Sequence, residues 1–160
     1  MVAGYNREQA VAYARRWALK RNPAYLDFHG LGGDCTNFVS QCLYAGCGVM
    51  NLTPVYGWYY QSASRRAASW TGVEYLYRFL VGNRGAGPYA GEVQSNTVEL
   101  GDVVQLGLGN EAYSHAALIV GLKDGEIYVA AHTHDAWMRP LSSYSQPNRR
   151  FLHIEGARGV

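Results

Sequence analysis

The stretch Gly32–Gly46, GGDCTNFVSQCLYAG, leaves the chain few choices. Asp34 stands where a helix N-cap is expected, with Cys35 in the first turn. Phe38, Val39, Cys42 and Leu43 then recur at three- and four-residue steps, which predicts one apolar stripe of a buried helix. Gly46 is the expected stop. Such a helix holds the Cys35 thiol where unpaired N–H groups carry a partial positive charge of about half a unit. That setting favours thiolate, the nucleophilic form. A buried, inert cysteine is the plain alternative.

The rest of the chain supplies partners for this helix. Asn6 and Gln9 predict a capped start for a first helix, with Ala10, Tyr13, Ala14 and Trp17 at helical spacing up to Asn22-Pro23. A loop from Pro23 to Gly33 carries Tyr25 and His29 towards Cys35. The aromatic stretch Tyr56, Trp58, Tyr59, Tyr60 either packs on the core or lines a substrate groove, with Trp58 as its candidate contact. Thr71 and Glu74 predict a capping box for a third helix, and Gly82–Gly91 reads as a flexible loop. Strands follow at Val103–Leu106, Ala116–Leu122, Ile127–Ala131 and Phe151–Ile154. Helices first and strands afterwards predict one α+β domain over residues 1–160, its N-terminal helices packed on a mostly antiparallel sheet.

Composition narrows the partners. Fourteen Lys and Arg against twelve Asp and Glu give a net charge of +2, without a basic run, which argues against nucleic acid or a membrane surface. The first ten residues lack the apolar run of a signal peptide. A cytoplasmic location is the default expectation, with cell wall or extracellular the alternative if a signal has been removed. Three cysteines, Cys35, Cys42 and Cys47, with no C-x-x-C pair, indicate neither a disulfide framework nor a thiolate metal site.

Lys123-Asp124-Gly125-Glu126 is the strongest turn signal, because Asp-Gly suits the positive φ angles of a type I′ hairpin. Counting back from Lys123 opposite Glu126 pairs Ala117 with His132 and His115 with His134. On that register His115, His132 and His134 share one face, as do Ala117 and Ala130, small enough to admit the Cys35 helix; Asp135 falls on the other. A thiol, a histidine to take its proton and a third polar group to orient that histidine make a thiol hydrolase. Structural histidines, or a metal site on the three histidines, are the alternatives.

These segments resemble a known family. GGDCTNFVSQCLYAG, and ELGDVVQL followed by SHAALIVG, are similar to the nucleophile motif and strand pair of NlpC-like and CHAP-like papain-fold cysteine peptidases of bacterial cell walls. In order, YNREQAVAYARRWALKRNP, DCTNFVSQ, WTGVEYL, GDVVQL and AAHTHDAWMRPLSSY more closely resemble the bacterial putative amidase domain family. The resemblance implies Cys35 as nucleophile, His115 as base and His132 as the orienting member, with Asp135 its competitor and His134 at an unspecified position. A bulge after His132 would bring Asp135 to the right side. The expectation is therefore a papain-like cysteine amidase or peptidase, acting without cofactor or metal on a peptide or peptidoglycan-like substrate through an acyl-thioester on Cys35. Tyr25 is an added oxyanion donor on this reading. A catalytically silent peptide or cell-wall binding module and a small metal hydrolase are the competing classes.

Overall fold

The computed structural model describes residues 4–110 and 112–160, leaving outside the first three residues of the expected domain. Helix α1 (Arg7–Trp17) starts as the sequence predicts, with Asn6 Oδ1 accepting from the Gln9 N–H, but ends at Trp17, five residues short of Asn22. Helix α2 (Cys35–Cys47) is buried along nearly its whole length and runs through Gly46; the stop is Gly48, in the left-handed region at φ 67°. Gly46 has another duty. A Cβ there would lie 2.5 Å from the Tyr5 ring and 3.0 Å from the Asn6 carbonyl oxygen, so the chain entering α1 can cross α2 only over a glycine.

The Thr71–Glu74 capping box does not form. The chain makes a short helix α3 (Ala68–Thr71), then α4 (Val73–Gly82), whose N-cap is Gly72 without a side-chain bond. Thr71 accepts instead from Arg66 Nε, and Glu74 pairs with Arg150 at 2.7 Å. A small ribbon, β1 (Tyr60–Ser62) with β2 (Arg65–Arg66), precedes these helices.

The remaining strands are β3 (Gly87–Val93), β4 (Val103–Gly107), β5 (His115–Lys123), β6 (Glu126–Ala131), β7 (Ala136–Pro140) and β8 (Asn148–Arg158). They form one antiparallel sheet in the order β3-β8-β4-β5-β6-β7. The architecture is α+β, as expected. Strand β3 begins inside the segment read as a loop and runs past its end to Val93. Its glycines and proline are tolerated because β3 is an edge strand, paired on one side only, with β8. Beside β8, Gly91 also leaves room for the Glu155 side chain, which a Cβ would meet at 2.5 Å.

The Asp124-Gly125 turn is present, with φ of 52° and 77°, and Lys123 pairs with Glu126. The register then shifts between Ile119 and Gly121, so Ile119 faces Val129 and Leu118 faces Ala130. This one-residue bulge moves everything beyond it to the other face. Ala116, Leu118, Val120 and Ala130 pack with Phe38, Val39, Cys42 and Leu43 of α2, while Ala117, Ile119, Val129 and Ala131 join a second cluster with Val104, Leu141 and Phe151. The expected pairing of Ala117 with Ala130 on one face is therefore corrected. Phe38, Leu43, Trp58 and Trp70 are fully buried in the first cluster, at about 1.5–3 kcal/mol for a large apolar side chain.

Candidate active site

Cys35 opens α2 with a buried thiol, 8% exposed. Its Sγ lies 3.8 Å from Thr36 Oγ1. Burial pushes the thiol pKa up; the Ala116 N–H, the Thr36 hydroxyl and the Thr36 N–H pull it back, and Asp34 adds to the rise. Burial wins, which reverses the expectation that the helix terminus would lower it. The contact with the Ala116 N–H puts the sulfur at the start of β5, one residue from His115. Cys42 is fully buried, and Cys47 is pushed up to about 11 by its own burial.

His115 is buried at the first position of β5, and its Nε2 has no partner among the described residues. Its ring lies beside Tyr144, at 5.7 Å between centroids. Burial pushes its pKa down to about 4, helped by the positive charges of Arg139 and His134. Thiol and imidazole are therefore both neutral near pH 7, and no hydrogen bond joins them in this structure.

Asp34 sits at the N-cap position yet makes no cap bond. Its carboxylate turns inward instead. Oδ1 accepts from the Phe28 N–H at 2.8 Å and Asn37 Nδ2 at 2.9 Å, and Oδ2 lies 2.5 Å from His132 Nδ1. The other ring nitrogen of His132 is 2.8 Å from the Trp17 carbonyl, at the end of α1. Both nitrogens face oxygen partners, so the ring is fully engaged by Asp34 and the Trp17 carbonyl. It bridges the negative end of one helix and the head of the next. The Phe38 ring stacks on it at 4.1 Å.

This corrects the expected role of His132. Neither of its nitrogens is free to orient His115. The reason is the bulge: His132 projects to the α2 face, and His115 towards Tyr144. Asp135 does not reach His115 either; its carboxylate takes a bidentate bond from Arg21, at 2.7 and 3.1 Å. Arg21 also pairs with Asp27 at 3.1 Å. His134 is exposed, beside Thr133 in the turn between β6 and β7, both at φ 61°. A β-branched residue is strained there. The strain is held by Asp34, whose backbone N–H donates to Thr133 Oγ1 at 3.2 Å, and by the two side-chain pairs on either side. The three histidines are thus not assembled as one ligand set, and no group of three or more His, Cys, Asp or Glu arranged to hold a metal occurs among the described residues.

The model of the putative amidase domain matches residues 4–154, from the approach to α1 into β8. The chain belongs to the putative amidase domain family. It is 36% identical over 140 residues to the uncharacterized protein YhbB of Bacillus subtilis (strain 168), a match covering 84% of this chain and 43% of that protein. The chain thus spans under half of that relative's length. No solved structure matches it.

In this amidase domain the two substrate-side candidates are engaged by the aromatic core. Trp58 is a core residue, 0% exposed, with Nε1 donating to Ser40 Oγ at 3.1 Å. Tyr25 packs on Tyr60 and stacks on Trp70, at 5.0 and 6.1 Å, and burial pushes its hydroxyl up to about 12. A cleft of about 520 Å³ between Tyr56, Tyr75 and Phe79 also lies away from Cys35. Arg21, Arg139 and Tyr144 were missed by sequence reasoning. The last two stand in the quoted segment AAHTHDAWMRPLSSY, but nothing in their spacing marks them.

Proposed function

We propose that this domain is a cysteine amidohydrolase of papain-like, NlpC-type design. The observation that carries this reading is the Cys35 thiol at the head of α2, against the N–H of Ala116, the residue that follows His115 on β5, a buried histidine with an unsatisfied ring nitrogen. A neutral thiol and a neutral imidazole act by general base catalysis, not as a preformed ion pair. His115 takes the thiol proton as sulfur attacks the amide carbon, and the C–S bond forms. The C–N bond then breaks as His115 returns the proton to the leaving amine, and water hydrolyses the thioester. Catalytic hydrogen bonds often form only with substrate bound, so the unbonded thiol and imidazole of this structure are compatible with this step.

The inward turn of Asp34 supports the oxyanion step. Because its carboxylate does not cap α2, the Cys35 and Asn37 N–H groups of the first turn receive no cap from it and are available to a developing oxyanion. The substrate class is a peptide amide, with cell-wall peptide as the first candidate. Incubation with defined muropeptides and intact-mass measurement tests the reading. An acyl adduct that disappears in Cys35→Ala, and turnover that survives EDTA, are the expected results. Turnover retained in Cys35→Ala or restored by zinc would overturn it; intact Cys35 with no adduct or turnover on any amide panel would favour a binding module.

A further inference from the structure

Resting on His115 as the base, we infer that Tyr144 is its positioning partner. The His115 Nε2–H donates to the Tyr144 hydroxyl oxygen, leaving Nδ1 to take the Cys35 proton. His115 Nε2 and the Tyr144 hydroxyl are both buried and both lack a partner among the described residues. An unpaired buried polar atom costs about 1–3 kcal/mol, so two orphans on neighbouring rings call for each other. The ring centroids are 5.7 Å apart and tilted by 33°. At that separation a modest turn of either ring joins phenol oxygen and ring nitrogen.

The turn that carries Tyr144 is built to hold it. Arg149 Nη2 donates to the carbonyls of Leu141 and Tyr144 at 3.1 and 3.3 Å. Arg139 donates to Ser143 Oγ at 2.8 Å and lays its guanidinium over the Tyr144 ring at 3.7 Å. Ser143 Oγ in turn donates to the Pro140 carbonyl at 2.7 Å. The other candidates are occupied: His132 by Asp34 and the Trp17 carbonyl, Asp135 by Arg21. Burial keeps the phenol protonated and uncharged. Its oxygen accepts equally from imidazole and from imidazolium, so the bond persists through the proton transfer while Tyr144 itself exchanges no proton.

Long-range ¹H–¹⁵N correlation of ¹⁵N-histidine protein, with His115 assigned by its loss in His115→Gln, reads the tautomer directly. The expected spectrum shows His115 as the Nε2–H form in the wild type and as a tautomer mixture in Tyr144→Phe. That variant keeps the ring under the Arg139 guanidinium and removes the hydroxyl together with its approach to Arg139. Iodoacetamide alkylation of Cys35 at neutral pH should slow by about tenfold or more in the same variant, as expected when a base is left in the wrong tautomer. An Nδ1–H wild-type ring, or a tautomer unchanged in Tyr144→Phe, overturns the proposal whatever Cys35 does. A tautomer that responds as expected in a protein whose turnover survives Cys35→Ala would keep the Tyr144 bond and sink the cysteine mechanism instead.

Discussion

His132 Nδ1 lies 2.5 Å from Asp34 Oδ2, and this buried pair locks the end of α1 to the head of α2, next in sequence to Cys35. Both side chains are 1% exposed. A pair this deep is costly to break, because without His132 the buried Asp34 Oδ2 keeps only the Arg21 guanidinium, 3.6 Å away.

His132→Ala should therefore destabilise the domain by about 3–5 kcal/mol, read by urea denaturation. Asp135→Asn, which weakens a half-exposed pair with Arg21, should cost about 1 kcal/mol or less. A His132→Ala protein of wild-type stability but abolished turnover would return His132 to the reacting group.

Thiol reactivity should follow burial and N–H contacts. Limited iodoacetamide treatment followed by peptide mapping should label Cys35 first, Cys47 more slowly and Cys42 not at all. Cys35 labelling should keep rising above neutral pH, because burial holds its thiol above the ordinary value. A rate already at its plateau near pH 6 would mean a preformed thiolate and the ion-pair mechanism.

The His115 imidazole is held below its ordinary 6.5, at about 4. Between those values the unfolded chain binds the proton and the folded one resists it, so folding stability should rise with pH across that window and fall on acidification. Denaturation midpoints from pH 4 to 7 for the wild type and His115→Gln check this. The variant should lose part of the slope; identical slopes would place the titration elsewhere.

Gly46→Ala tests the crossing of the chain entry over α2. The new Cβ would sit 2.5 Å from the Tyr5 ring, whose hydroxyl is anchored to the Gly101 carbonyl at 2.7 Å. Overpacking of this kind costs about 1–3 kcal/mol, despite the better helix propensity of alanine. A more stable variant, measured by thermal melting, would show that Tyr5 moves aside freely.

Much of the architecture was legible because it is local. The Asn6–Gln9 cap, the apolar stripe of α2 and the Asp124-Gly125 turn each depend on residues within a few positions of one another. The same holds for Cys35 at a helix head and His115 at a strand start. Edge strand β3 was not legible, since only the unpaired edge of β8 makes a glycine-rich segment extend.

The sequence by itself determined where a thiol and a histidine stand on their elements. Tertiary structure alone decided what each meets. The bulge after Ile119 reverses the face of every residue beyond it, so a register counted from the hairpin turn assigns His132 to the wrong neighbour. Asp34 has the sequence of a cap, yet the buried His132 ring competes for its carboxylate and wins, because a hydrogen bond to the ionisable carboxylate is stronger than a neutral one. Tyr144, 29 positions from His115, lies beside it only because β7 and the turn after it fold back over the second face of the sheet. Spacing along a chain fixes local periodicity; which polar groups are buried together depends on how the faces close.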